Sequence, residues 1–385
     1  MVRPWLRSAR WDLGFIIVSC LIVLLPYSLY WILGGAPFES ASLKGTSAYQ
    51  ARVTVNYVVA ILIGGPHMYA TFTRTFFDAG FRKRWRWFLY LSLLVPIIVF
   101  TMASASYQTY VWMLSIFFAV ASVHALHQLV WITEAYNQKA KLALSLPSRF
   151  IDYALVLSSL YPLALLKMTQ GEFKIGPVNL LENQVLYGQY WLAYLALAGF
   201  STLVVLFVAK TVVEYRAGFF SAPKTLLITI TASLMFVVPL LPNLDTAFQG
   251  VNTWHSFQYL ALTWYANSLH EKRVGRPVPY LHWLNGQTKS LGERLAGTPR
   301  QAMAALRRID GGSGWVPYYA VCLAMLPISG ALILVATALW PNIHNGAPGA
   351  DEAYSYMGIL SILLMHYVHD ALLFFDSKSI LPIEA

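Results

Sequence analysis

The stretch VRPWLRSARWDLGFIIVSCLIVLLPYSLYWIL, Val2–Leu33, joins a short basic flank to an apolar run with no charged residue after Asp12. A run of about 20 apolar residues is what a helix needs to cross a roughly 30 Å hydrocarbon core. The flank is of signal-peptide type, but the run is too long and no small-residue cleavage site follows. It reads as a retained first span. Runs of the same kind recur along the 385-residue chain and predict spans near 11–34, 52–74, 87–106, 109–133, 150–168, 187–209, 224–241, 247–271, 316–340 and 354–375.

Composition agrees, with 57% hydrophobic residues, 11% charged residues and a mean hydropathy of +0.55. The short alternating segments of a membrane barrel do not occur. The expected fold is all-α: a polytopic helical membrane protein with about ten transmembrane helices, forming a single bundle domain over residues 1–385. If both termini are cytoplasmic, every one of the 27 Lys and Arg residues except Lys44, Arg52, Lys167 and Lys174 falls on the cytoplasmic side. That is the bias expected of cytoplasmic loops. It accounts for the net charge of +10 without a nucleic-acid partner. In a bacterium the expected location is the cytoplasmic (inner) membrane. A cytoplasmic connection at about 272–315 contains LGERLAGTPRQAMAALRRI, whose Arg294, Arg300, Arg307 and Arg308 fit one polar helix face lying on anionic lipid. It is also a place where a soluble electron donor could dock.

Six of the nine histidines fall inside predicted spans away from their ends: His67, His124, His127, His255, His366 and His369. Ionisable residues there are costly and mark sites. His67, His127 and His369 each lie seven residues, about 10 Å, before a charged residue (Arg74, Glu134, Asp376), which predicts one shared depth. HALHQ, HSFQY and HYVHD place polar pairs at i and i+3, on one helical face. Bundles build metal sites in this way. In GGPHMYA, Pro66 predicts a kink that turns His67 inward. The six histidines are thus candidate metal ligands. Asp370 is a ligand or orienting carboxylate with a catalytic role, and Glu134 a second catalytic candidate that gates protons or extends the ligand set.

Imidazole donors suit Fe, Cu, Zn and Ni. Iron, as one or two ions, is the expected cofactor, with Zn or Cu as alternatives. Haem is disfavoured because i, i+3 pairs converge too tightly. Cys20 and Cys322 sit in apolar runs and support neither disulfides nor thiolate sites. HExxH, Walker, GxSxG and paired-Asp motifs are absent, against a zinc protease, phosphoryl transfer, a serine hydrolase and a prenyltransferase. Histidines converging from several spans are similar in general kind to those of membrane carotenoid dioxygenases of the Brp/Blh type and of membrane fatty-acid desaturases and hydroxylases. Desaturase HxxHH boxes are not present, and no catalytic residue is carried over. The resulting expectation is an intramembrane, non-haem metal oxidoreductase or oxygenase acting on a fatty chain, a carotenoid or another isoprenoid. The alternatives are a metal- or proton-coupled transporter and a haem electron carrier.

Overall fold

The structure, a computed structural model, describes residues 4–35, 45–140, 144–175, 177–180, 182–241, 244–274, 314–340 and 350–375. Most of them lie in long helices: α1 (Ala9–Ile32), α2 (Ser47–Arg74), α3 (Ala79–Ala105), α4 (Tyr107–Lys139), α5 (Leu146–Gln170), α6 (Tyr190–Arg216), α7 (Ala222–Leu240), α8 (Leu244–Val274), α9 (Trp315–Leu339) and α10 (Ala350–Phe375). Among the described residues nine helices are long and apolar enough to cross a membrane, all of these except α8. An antiparallel pair of two-residue strands, Lys174–Ile175 and Val178–Asn179, interrupts the all-helical pattern. Lys44, Leu291–Ile309 and Asp376 lie outside the described residues.

Local chemistry sets the helix starts. Thr46, Asp78, Ser106 and Ser145 each accept a hydrogen bond from a backbone N–H in the first turn of α2, α3, α4 and α5. Two helices depart from α geometry where polar groups need to be aimed. α1 passes through a π turn, Asp12–Ile17, and a 3₁₀ stretch, Val18–Leu24. Within it the Ile16 carbonyl accepts the Gln258 side-chain amide at 2.6 Å. α2 contains a π turn at Ala60–Gly64, immediately before Pro66. The Leu62 carbonyl, which Pro66 cannot serve, accepts the Tyr319 hydroxyl from α9.

α8 is long enough to span, at about 46 Å for 31 residues. Its polarity is turned inward: Thr253, His255, Ser256, Gln258, Thr263 and Asn267 are all buried. It packs along α1 and α2, and at Gly250 its backbone comes close to that of α1. A Cβ there would stand 2.1 Å from the Val23 carbonyl oxygen of α1. A Cβ at Gly199 on α6, by contrast, would have nothing within 4 Å. Gly250→Val is expected to destabilise the detergent-solubilised protein by about 1–3 kcal/mol, because backbone must move. Gly199→Ala should leave its thermal midpoint unchanged or slightly raised. Equal midpoints for the two variants would sink the packing assignment.

Candidate metal centre

α2, α4, α8 and α10 each deliver one buried imidazole to a common point. One ring nitrogen from each of His67, His124, His255 and His366 lies within 4.8 Å of all the others. Ring centroids stand 4.3 Å apart for His67 and His366, 4.9 Å for His124 and His255, 5.0 Å for His67 and His255, and 5.1 Å for His124 and His366.

Hydrogen bonding fixes two of the tautomers. His67 Nδ1 is 3.0 Å from the Gly64 carbonyl, which can only accept, so Nδ1 carries the proton and Nε2 presents its lone pair. Thr71 Oγ1 donates to Asp370 Oδ1 at 2.7 Å and lies 2.5 Å from His366 Nδ1. With its single proton given to the carboxylate, Thr71 accepts from Nδ1–H, and His366 Nε2 is left free. Tyr259 also donates to Asp370 Oδ1, at 2.5 Å, and its hydroxyl touches Thr71 at 2.7 Å. The remaining oxygen, Asp370 Oδ2, points to the imidazoles, 3.5 Å from His366 Nε2 and 3.7 Å from His124 Nε2.

The atoms that converge are the ones without partners. His67 Nε2, His124 Nε2, His255 Nδ1 and Nε2, His366 Nε2 and Asp370 Oδ2 are all buried and make no hydrogen bond. A buried polar atom left so costs about 1–3 kcal/mol. One cation accepting these lone pairs satisfies them together. Ligands about 2.0–2.2 Å from one ion stand about 3 Å apart when adjacent and about 4.2 Å apart when opposite. The ring nitrogens, all within 4.8 Å of one another, reach those spacings by moving inward. The residues fit a transition metal held by four imidazoles, with Asp370 as a fifth ligand.

The other expected site residues lie elsewhere. His127, one turn along from His124, packs edge-on against Phe374, at 5.5 Å. His369 is buried among Phe72, Phe76 and Phe88, and both its ring nitrogens are used, Nδ1 by Thr75 at 3.1 Å and Nε2 by Ser92 at 2.9 Å. Glu134 is paired with Arg149 and Tyr153 of α5 and with Asn137 and Gln138 of its own helix. It closes a helix–helix contact and does not face the imidazoles. The structure brings His67, His124, His255 and His366 together and leaves His127 and His369 outside that group. The charged residues used as depth markers are not helix ends of one kind. α4 runs on past Glu134 to Lys139, and Arg74 is itself buried, 3.4 Å from Asn267 of α8.

From the sequence Thr71 is not singled out, and Tyr259 reads as one of many packing aromatic residues. Both carry a signal, since each stands four residues after a clustered histidine, as do Asp370 and Gln128. Gln128 donates to Gln258 Oε1 at 2.9 Å, so the α4 and α8 members are also tied by side chains.

Fold and site together define an all-α polytopic membrane protein with a buried four-histidine, one-carboxylate cluster at the meeting of four helices. No protein-family model matches the chain, and comparison with curated proteins and with solved structures gives no significant match.

Thr71→Val keeps the shape of the residue and removes both the acceptor for His366 and the donor to Asp370. Loss of such orienting partners weakens metal affinity by about 10–100-fold. Chelator competition against the purified protein should show this weakening for Thr71→Val. Glu134→Gln should bind as the parent does.

Proposed function

We propose that this protein is an intramembrane, histidine-liganded metal oxidoreductase acting on a lipid-soluble substrate, with iron as the metal. The observation that carries the reading is the convergence of four buried imidazoles whose free nitrogens have no protein partner. Neutral imidazoles with one carboxylate form a mixed N,O donor set, which suits iron and leaves Zn and Cu as the competitors. Four nitrogens within 4.8 Å leave no space for a macrocycle, which disfavours haem. Iron held there would supply one-electron and dioxygen chemistry.

The chain's own contribution is positional. His67 is locked by Gly64, and His366 and Asp370 by Thr71 and Tyr259, so the donors face one point before anything binds. Surrounding aromatic and aliphatic side chains, among them Tyr367 stacked 4.2 Å from His124, exclude water. Tyr259 and Asp370 share a proton position within hydrogen-bond reach of the cluster and can pass a proton at Asp370 Oδ1.

In this reading α8 is the eighth of ten spans, the chain forms one bundle domain, and both termini are cytoplasmic, in the inner membrane of a bacterium. Arg52, Asp245 and Glu352 then lie toward the outer face. Electrons would come from a soluble donor on the cytoplasmic side. A fatty chain, a carotenoid or another isoprenoid fits the surroundings, because a largely apolar cavity of about 410 Å³, within the usual range of small-molecule sites, has its floor one helical turn from the clustered histidines.

Elemental analysis of detergent-purified protein tests the proposal. The parent is expected to hold transition metal, chiefly iron, in stoichiometric amount. His67→Ala, His124→Ala, His255→Ala and His366→Ala should lose most of it, while His127→Ala and His369→Ala keep it. A folded parent without metal, or equal loss in all six variants, defeats the assignment.

A further inference from the structure

The 410 Å³ cavity extends the proposed function, on which the following rests for its reaction but not for its binding step. Its floor is built one helical turn from the clustered histidines: Gly64 precedes His67 by three residues, Asn252 precedes His255 by three, and Leu363 precedes His366 by three. The middle is apolar, with Leu114, Phe117 and Leu360 among its walls. The far end is polar and rich in acceptors.

At that end Asp245 and Glu352 line the cavity and flank Arg52, at 2.9 and 2.6 Å. Tyr356 donates to Glu352 Oε2 at 2.8 Å. A second, separate acceptor lines the same region: the Asn56 amide oxygen is buried and has no hydrogen-bond partner. Carboxylates and an unpaired amide oxygen recognise a hydrogen-bond donor and reject an anion.

The separation of the two ends sets a length. Asp245 precedes His255 by ten residues, Asn56 precedes His67 by eleven and Glu352 precedes His366 by fourteen. At about 1.5 Å per residue these are separations of about 15–21 Å. An extended hydrocarbon advances about 1.25 Å per carbon, from C–C bonds of about 1.5 Å at about 111°. The histidines therefore lie about 12–17 carbon lengths from the head, one helical turn past the cavity floor.

The side of the cavity opens to the bilayer. Tyr57 and Ile61 line it and are 48% and 50% exposed. Across the opening the Tyr57 hydroxyl meets Ser355 of α10 at 3.4 Å, and Ile333 of α9 lines the same wall.

We propose that this cavity binds a single-chain amphiphile with a hydrogen-bond-donating, non-anionic head, a hydroxyl or an ammonium, admitted laterally between α2 and the α9–α10 pair. The head sits at Asp245, Glu352 and Asn56, and the chain runs along α2 and α10 toward the histidines.

Photolabelling of the full-length protein in detergent tests this. Four 18-carbon probes carry a diazirine at mid-chain and differ at the head: alcohol, primary amine, carboxylic acid and plain hydrocarbon. The alcohol, the amine or both should label cavity-wall peptides containing Leu114, Phe117 or Leu360 at least tenfold more than the acid and the hydrocarbon do. Which of the two heads leads separates a neutral from a cationic substrate. Ile359→Trp, which fills the cavity from α10 without touching a metal ligand, should abolish that labelling. Equal labelling by all four heads, labelling confined to other surfaces, or full labelling of a folded Ile359→Trp protein overturns the proposal. Metal content measured on the same samples reads the histidine cluster separately, so a protein without metal that still shows head-selective labelling keeps this inference and loses the oxidoreductase reading.

Discussion

A polar side chain inside a helical membrane bundle must be paired within the protein, and that constraint organises this molecule. α2, α8 and α10 carry about half of the buried polar side chains, and they are polar where they face one another. At one level Arg52 joins Asp245 and Glu352; at another the imidazoles of His67, His255 and His366 converge with His124 from α4. Two rungs of contacts between the same three helices leave little freedom to slide or rotate. The outer helices meet looser demands. α6 and α9 are mostly lipid-facing apolar surface, with 17% of their spanning windows buried.

A separate buried ion cluster does comparable work among α5, α6 and α7. Asp152 takes Lys210 at 2.6 Å and Lys224 at 3.0 Å, while Glu214 bonds Lys210 and Ser148. Two cations and two anions compensate one another there, and each carboxylate oxygen faces a lysine ammonium, which the histidine nitrogens lack. Breaking such a buried pair is strongly destabilising, while its net worth when intact is small. Its role is to fix helix register. The contrast separates structural polarity, which is internally paired, from the histidine cluster, where the donors lack acceptors of their own.

The helical membrane class was legible because hydropathy reports a property of whole segments, and errors at single residues average out. The site was legible only in part, for reasons that individual residues make plain. His124 and His127 look equivalent in HALHQ, yet a three-residue step turns a side chain by about 300°, and only His124 is aimed at the cluster. The same holds for His366 and His369 in HYVHD. The useful spacing was four, not three: His67 and Thr71, His255 and Tyr259, and His366 and Asp370 form stacked ligand and support positions. His369 was beyond reach of any pattern, since Ser92, which satisfies its Nε2, comes from α3 and 277 residues away.

The π turn of α2 explains how the two rungs fit together. α2 and α10 run in the same direction, joined by Arg52 and Glu352 near their starts and by His67 and His366 farther along. The interval is fifteen residues on α2 and fourteen on α10. Two regular helices with those counts would differ by about 1.5 Å in rise and about 100° in rotation, enough to turn one imidazole out of the cluster. A π turn accommodates one extra residue without advancing the helix beyond it. Ala60–Gly64 therefore absorbs the surplus and brings the two intervals into register. Its placement also frees the Gly64 carbonyl to hold His67 Nδ1, and it leaves Gly64 and Gly65 against Asn252 and Leu326 where a side chain would collide. Pro66, which looked from the sequence like a simple kink, is one part of a register correction that ends on His67 of the imidazole cluster.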